Sequence, residues 1–340
     1  MNKLLYPLSL AYWALSNADR RFCARKKLSK PVISVGNITW GGTGKTPIVI
    51  ELLKLAVQNN LKPVVLTRGY GRKTSSPALL ENGALHDSAQ KSGDEPLLIA
   101  RSVPMACVIA GAYRYENALI FEKYLEPDLY VLDDGFQHWK IERDLDIVCV
   151  NAANPFGNGM LIPAGILREK PGALERAGLV IITNCDMVAD EKVRALEREI
   201  FGYGGKVVLS AYYGGYEYKT LDLAGYFDLD FLKSSIVYSL CAIGFGDGFK
   251  NSLKKSGIEI RGSFDLPDHG SYDLKTLKSF LEKAGRGACL VTTAKDAVKI
   301  ADVADDEIKE RTAVLTITPQ FKTGEDEWEK TILNVINGVL

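Results

Sequence analysis

The run Gly41-Gly42-Thr43-Gly44-Lys45-Thr46 has the chemistry of an anion cradle. Backbone N–H groups in such a loop converge on phosphate, a lysine brings charge to the outer phosphates, and a hydroxyl completes a Mg²⁺ shell. The spacing departs from the usual P-loop at one position. The residue five before the final Gly-Lys is Thr39, not glycine, and Trp40, Gly41 and Gly42 follow inside the loop. Thr39 through Thr46 are therefore the candidate nucleotide contacts, with Lys45 also a candidate catalytic cation.

Other residue groups have chemistry to match. The apolar run Leu129–Leu132 ends in Asp133-Asp134-Gly135-Phe136-Gln137-His138, and an acid closing a buried strand can reach the Mg²⁺ beside the loop hydroxyl. Thr46, Asp133 and Asp134 are the candidate metal ligands; adjacent aspartates diverge, so one serves the metal directly. Gly93-Asp94-Glu95-Pro96 offers a carboxylate that is either a base or an ordinary helix cap. Thr67–Arg72 offers two guanidiniums for phosphate, Arg72 among them, and Pro163–Glu169 adds Arg168 beside Glu169. Asp268-His269-Gly270-Ser271-Tyr272 holds one of only three histidines.

These groups must be held by regular elements. Apolar, β-branched runs at 32–36, 64–68, 105–110, 129–133, 146–150, 179–183, 206–212, 235–243, 258–264, 288–293 and 313–318 read as strands. Helical spacing recurs in 48–58, 112–125, 190–201, 273–284 and 325–338. The alternation predicts an α/β fold: a P-loop NTPase-type, mostly parallel sheet flanked by helices, with a second, smaller α/β domain. Active residues then belong in loops at the C-terminal ends of strands. Glycines cluster at 202–215, so the expected division is a larger P-loop domain over 29–205 and a smaller one over 206–340.

Residues 1–28 stand apart. Leu4, Leu5, Leu8, Ala11, Tyr12 and Leu15 repeat at helical spacing, followed by Arg20, Arg21, Arg25, Lys26 and Lys27. This amphipathic helix is shorter than the roughly 20 apolar residues a bilayer span needs. A cleaved signal, a packed helix and a helix lying in the membrane interface are the three readings, and meeting ATP argues against export. Lysine plus arginine equal aspartate plus glutamate at 42 each, so no global field draws in nucleic acid. Six cysteines are scattered without a C-x-x-C pair, and Cys107, Cys149, Cys241 and Cys289, in apolar runs, read as small buried hydrophobes in a reducing compartment. Nothing in the sequence implies an oligomer.

The ordered set VGNITWGGTGKTP, TRGYGR, GDEP, DDGFQH, PAGILRE, DH..Y and TTAKD resembles the tetraacyldisaccharide 4'-kinase family over roughly residues 30 to 300. The resemblance implies a membrane-associated enzyme of lipid A biosynthesis at the cytoplasmic face of the inner membrane. It would use ATP and Mg²⁺ to phosphorylate the 4'-hydroxyl of an acylated glucosamine disaccharide 1-phosphate, giving lipid IVA. Asp94 then matches the carboxylate that takes the acceptor proton and His269 its partner. Arg168 matches an arginine near the phosphates, and Glu169, Gln137 and His138 fall among the substrate contacts. One departure is visible: Thr293-Ala294-Lys295-Asp296 stands where the family commonly has Thr-Glu-Lys-Asp, which leaves any role of that glutamate without a bearer.

Two other classes carry a P-loop on such a sheet. A switch or metallochaperone GTPase would need an Asp-x-x-Gly switch and a base-reading Asn-Lys-x-Asp; Asn184-Cys185-Asp186 lacks the lysine. An ATP-dependent ligase would form ADP only with a carboxylic acid and an amine.

Overall fold

The computed structural model describes residues 5–70, 72, 74, 76–84, 88–242, 246–267 and 270–338. The chain forms two compact units, neither continuous in sequence. The first comprises Met1–Arg68, Ala106–Gly214 and Pro319–Leu340; the second comprises Gly69–Met105 and Gly215–Thr318. This differs from a single cut at 205/206. The chain passes between units inside the expected glycine cluster, but 69–105 groups with the later residues and 319–340 with the earlier ones.

In the first unit the strands are β1 (Val32–Gly36), β2 (Pro63–Thr67), β4 (Cys107–Ala110), β5 (Leu129–Asp133), β6 (Leu145–Asn151), β7 (Leu179–Thr183) and the start of β8 (Val208–Lys219). Their order is β8-β7-β6-β1-β5-β2-β4, all paired in parallel. Strands β1, β2, β5 and β7 are buried at every residue, which is why they read as unbroken apolar runs. After β1 the chain moves to one side of it for β2, and later to the other side for β6 to β8. Such a reversal opens a crevice at the C-terminal strand ends. The helices here are α1 (Tyr6–Phe22), α2 (Lys45–Gln58), α5 (Arg114–Leu125), α6 (Asp190–Gly202) and α12 (Glu325–Ile336).

The second unit has its own parallel sheet, β10-β9-β11-β12, from Ile260–Asp265, Ile236–Cys241, Ala288–Thr293 and the first part of Thr312–Thr323. Short β3 (Ala78–Leu80) and helices α3 (Ala89–Ser92), α4 (Asp94–Ser102), α7 (Leu229–Ser234), α8 (Gly246–Lys255), α9 (Leu274–Ala284), α10 (Ala294–Ala301) and α11 (Asp306–Glu310) complete it. Strands β8 and β12 carry the chain from one unit to the other. Their hydrogen-bonded neighbours are Ser210 with Thr323 in the first unit and Thr316 with Glu217 in the second. Gly214 and Gly215, expected at a break, lie inside β8.

Helix α1 keeps its large apolar residues outside: Tyr6, Leu8, Leu10, Trp13, Leu15 and Phe22 are exposed, and the one buried residue is Ser9. The Ser9 hydroxyl donates to the Leu161 carbonyl at 2.9 Å and accepts the Ala164 N–H at 3.1 Å, which pins the helix by one polar point. This is not an internally packed helix. No helix among the described residues is long and apolar enough to cross a membrane.

Candidate active site

The glycine-rich loop joins β1 to α2 at the reversal point. Gly44 caps α2 with φ 74°, a left-handed conformation that a side chain would strain, and Lys45 and Thr46 form the first helical turn. The N–H groups of that turn have no partner inside the helix and, with the helix dipole, favour an anion. Thr39 is 3% exposed and bridges antiparallel to Leu167, while Trp40 is 65% exposed. The Asn37 side chain donates to the Thr43 hydroxyl at 2.9 Å, which ties the loop's two ends together.

Beside it, β5 ends in the acid pair. Gly36 and Gly135 let the acid-bearing loop lie on β1. A Cβ on Gly36 would come 2.6 Å from the Phe136 Cβ, and one on Gly135 would come 2.5 Å from the Leu132 Cβ. Ile38, Phe136, Leu167 and Leu174 are buried together beneath, so an apolar floor fixes the polar residues above it. Burying Phe136 alone contributes about 2 kcal/mol to that floor.

The two aspartates do different work. Asp133 is 4% exposed, and its carboxylate accepts from the Thr67 hydroxyl at 3.0 Å. Asp134, at φ 48°, turns the opposite way. It takes two bonds from one Arg168 nitrogen, at 2.9 and 2.8 Å, and lies 3.5 Å from the Lys45 ammonium. Burial opposes its ionisation, but Lys45 and Arg168 outweigh that and hold the carboxyl below the usual range. Arg114, buried at the start of α5, donates to the Asp134 carbonyl at 3.4 Å.

Arg168 reaches Asp134 because its loop pairs with the nucleotide loop. Its N–H donates to the Ile38 carbonyl at 2.7 Å, and the Trp40 N–H donates to the Ile166 carbonyl at 2.6 Å. Gln137 and Glu169 join this framework. The Gln137 amide donates to the Asn37 carbonyl at 2.9 Å and to Glu169 at 2.8 Å. Glu169 in turn accepts two bonds from Arg176, at 3.0 and 2.9 Å, and the Arg176 guanidinium stacks over Phe136 and Trp139. His138 has an Nε2 without a partner among the described residues. Burial, then the nearby cations Arg114, Arg143, Lys140 and Arg68, lower its pKa from 6.5 to about 4. A cleft of about 150 Å³ opens between α1 and these residues, lined by Trp13, Arg20, Trp139, Arg168, Lys170 and Arg176.

In the second unit Asp94 is the first residue of α4, and Gly93 at φ 92° precedes it as the cap. Its carboxylate pairs with Lys299 at 3.3 Å, and the same ammonium donates to the Gly270 carbonyl at 3.4 Å. Lys299 therefore joins the GDEP turn to the polar turn after residue 269. His269 itself lies outside the described residues. Arg72 donates to the carbonyls of Lys91 and Ser76 and to Thr74. Asp296 is fully buried and accepts from the Ala242 N–H at 3.0 Å and the Thr293 hydroxyl at 2.9 Å. It holds the backbone where α10 begins.

Arg114, Arg176 and Lys299 were not singled out from the sequence, and Thr67 was read only as part of its motif. Lys299 follows Lys295 by one helical turn, and a helix over 294–301 would have exposed that relation. Arg114 and Arg176 gave no local signal, since only the fold reveals a buried arginine.

The model of the tetraacyldisaccharide-1-P 4'-kinase family matches residues 1–337. The tetraacyldisaccharide 4'-kinase of Anaeromyxobacter dehalogenans is 33% identical over 317 residues, 92% of this chain and 84% of that protein. The enzyme of the same name from Syntrophus aciditrophicus is 38% identical over 295 residues, 83% of this chain and 79% of that one. The crystal structure of LpxK from Aquifex aeolicus in complex with ATP matches with a TM-score of 0.79 at 28% identity, covering 98% of both chains. A nucleotide loop beside an acid pair, carried on a chain matched from end to end in this way, makes the protein a member of the tetraacyldisaccharide 4'-kinase family, the kinases of lipid A biosynthesis.

Proposed function

We propose that this kinase takes the γ-phosphate from ATP, with Mg²⁺, and passes it to the 4'-hydroxyl of an acylated glucosamine disaccharide 1-phosphate. The observation that carries the reading is the cluster of Lys45, Arg168 and Arg114 around Asp134, at the helix end where phosphate binds best. The loop amides and Lys45 hold the outer phosphates, and the neighbouring guanidiniums take up charge as it moves to the leaving oxygen.

Mg²⁺ at nucleotide sites needs only one or two protein carboxylates beside phosphate and water. Lys45 lies 3.5 Å from Asp134, so the hard oxygens of neighbouring Thr46 and of Asp133 and Asp134 are of the kind that would hold it. When bound, the ion neutralises charge on the β- and γ-oxygens. Asp94 takes the proton from the acceptor hydroxyl, with His269 as its partner and Lys299 fixing its direction. Arg168, Glu169, Gln137 and His138 belong to the acceptor's surroundings, and the basic, tryptophan-lined cleft suits a phosphorylated sugar.

The acceptor's acyl chains lie in a membrane. The exposed apolar residues of α1, with Arg20 and Arg21 in its last turn, suit a helix resting in the interface at the cytoplasmic face of the inner membrane. The test is transfer of label from γ-labelled ATP, with Mg²⁺, to detergent-dispersed tetraacyldisaccharide 1-phosphate. Labelled lipid that disappears in Lys45→Ala and Asp94→Ala is expected. ATP hydrolysed with no labelled lipid would overturn the reading.

A further inference from the structure

Three consecutive carbonyls of the nucleotide loop are each held by a side chain from a different strand. The Asn151 amide, at the end of β6, donates to the Gly42 carbonyl at 3.3 Å. The Thr183 hydroxyl, at the end of β7, donates to the Thr43 carbonyl at 3.0 Å. The Tyr213 hydroxyl, in β8, donates to the Gly44 carbonyl at 2.8 Å. The donors come in strand order from the side of the sheet next to β1.

The peptide group is planar and trans, so its C=O and N–H point in opposite directions. Holding the oxygens of Gly42, Thr43 and Gly44 toward β6, β7 and β8 turns the N–H groups of Thr43, Gly44 and Lys45 the other way. We propose that Asn151, Thr183 and Tyr213 are positioning residues that aim three successive loop amides at the phosphates of the nucleotide. The proposal rests on the nucleotide reading above.

Two further observations fit this role. A Cβ built on Gly44 would lie 1.7 Å from the Tyr213 hydroxyl, so the phenol occupies the space of the missing side chain. Gly44 is thus required by contact as well as by its φ. Desolvation pushes the Tyr213 phenol well above its ordinary value of 10, so the hydroxyl keeps the proton it donates. Thr183 is fully buried, and its hydroxyl lies nearer the Thr43 carbonyl, at 3.0 Å, than the Val150 carbonyl at 3.4 Å. A loop aimed in advance spends no binding energy on ordering its donors, which is the benefit of preorganisation.

The test is ADP binding by calorimetry on the full-length chain, because ADP keeps the β-phosphate that such loops cradle. Tyr213→Phe and Thr183→Val each remove one hydroxyl with little change in shape. Each is expected to weaken ADP about five- to tenfold, the scale of one lost hydrogen bond. Thr183→Ser restores the donor and should keep ADP binding near the unsubstituted level. Tyr212→Phe, on the neighbouring residue, should change nothing. The steady-state signature is a raised KM for ATP at similar acceptor KM. ADP affinity within twofold of the unsubstituted chain in both Tyr213→Phe and Thr183→Val overturns the brace alone. No ADP binding by the unsubstituted chain overturns the brace together with the nucleotide reading.

Discussion

His138 makes a sharp test of the electrostatics around the acid pair. Its imidazole is held neutral in the folded chain, with a pKa of about 4 against 6.5 when unfolded. The unfolded chain therefore takes up the proton first as pH falls, and stability declines through the window between those two values. Above about pH 8 neither state is charged and the contribution is flat. Integrating from pH 7.5 to pH 5 gives a loss of about 2 kcal/mol, rising toward about 3 kcal/mol below pH 4. His138→Gln removes the titration while keeping a polar group of similar size. The assay is urea unfolding of both proteins at pH 7.5 and 5, followed by tryptophan fluorescence. Trp13, Trp40, Trp139 and Trp328 all belong to the first unit, so the signal reports the unit that contains His138. The unsubstituted chain should lose about 2 kcal/mol more than the variant on acidification. Equal losses in the two proteins would refute the claim that the neighbouring cations and burial keep this histidine neutral.

Two more outcomes follow from packing and exposure. Gly36→Ala sets a methyl 2.6 Å from the Phe136 Cβ and 2.8 Å from its backbone nitrogen, neither of which can rotate aside. It should cost about 1–3 kcal/mol in an unfolding titration and cut turnover by displacing the acid-bearing loop; unchanged values in both assays would contradict the close approach. Leu8→Asp combined with Leu15→Asp places charge on exposed apolar positions of α1. It should lower cosedimentation with anionic vesicles by at least about tenfold while leaving ADP binding intact, and unchanged sedimentation would remove α1 from the membrane contact.

The core of the first unit was legible because its strands are buried on both faces. Runs such as Pro63–Thr67 and Leu129–Asp133 need no alternation to be recognised, and the Gly-Lys-Thr between β1 and α2 fixes its own context. The second unit gave less away. Helix α8 and helix α10 are short, and α10 follows β11 without a loop, so their periodicity has too little length to register. Strand β8 was cut short in the reading because Gly214 and Gly215 look like a turn, yet both lie within it, Gly215 at φ 56°. The candidate residues could be named from the sequence as types, but their pairings could not. Asp94 with Lys299, and Glu169 with Arg176, join segments that no spacing rule connects. Arg168, Gln137 and Glu169 were expected among the substrate contacts, and the bonds that also brace the loop through them are invisible to spacing.

The interleaving of the two units has a consequence for how the protein is made. A ribosome releases Met1–Arg68 with the glycine-rich loop early, and the acid pair soon after. The unit that carries both also needs Pro319–Leu340, where the end of β12 meets β8 at Ser210 and Thr323. That stretch is synthesised only after the entire second unit has emerged. That stretch must therefore join a sheet whose seven strands are already synthesised, and contacts such as Ser210 with Thr323 close late. Such long-range closure is slow, and it exposes strand edges in the meantime. The second unit, Gly69–Met105 with Gly215–Thr318, is synthesised before that stretch begins, so the first unit is the one whose residues are completed last.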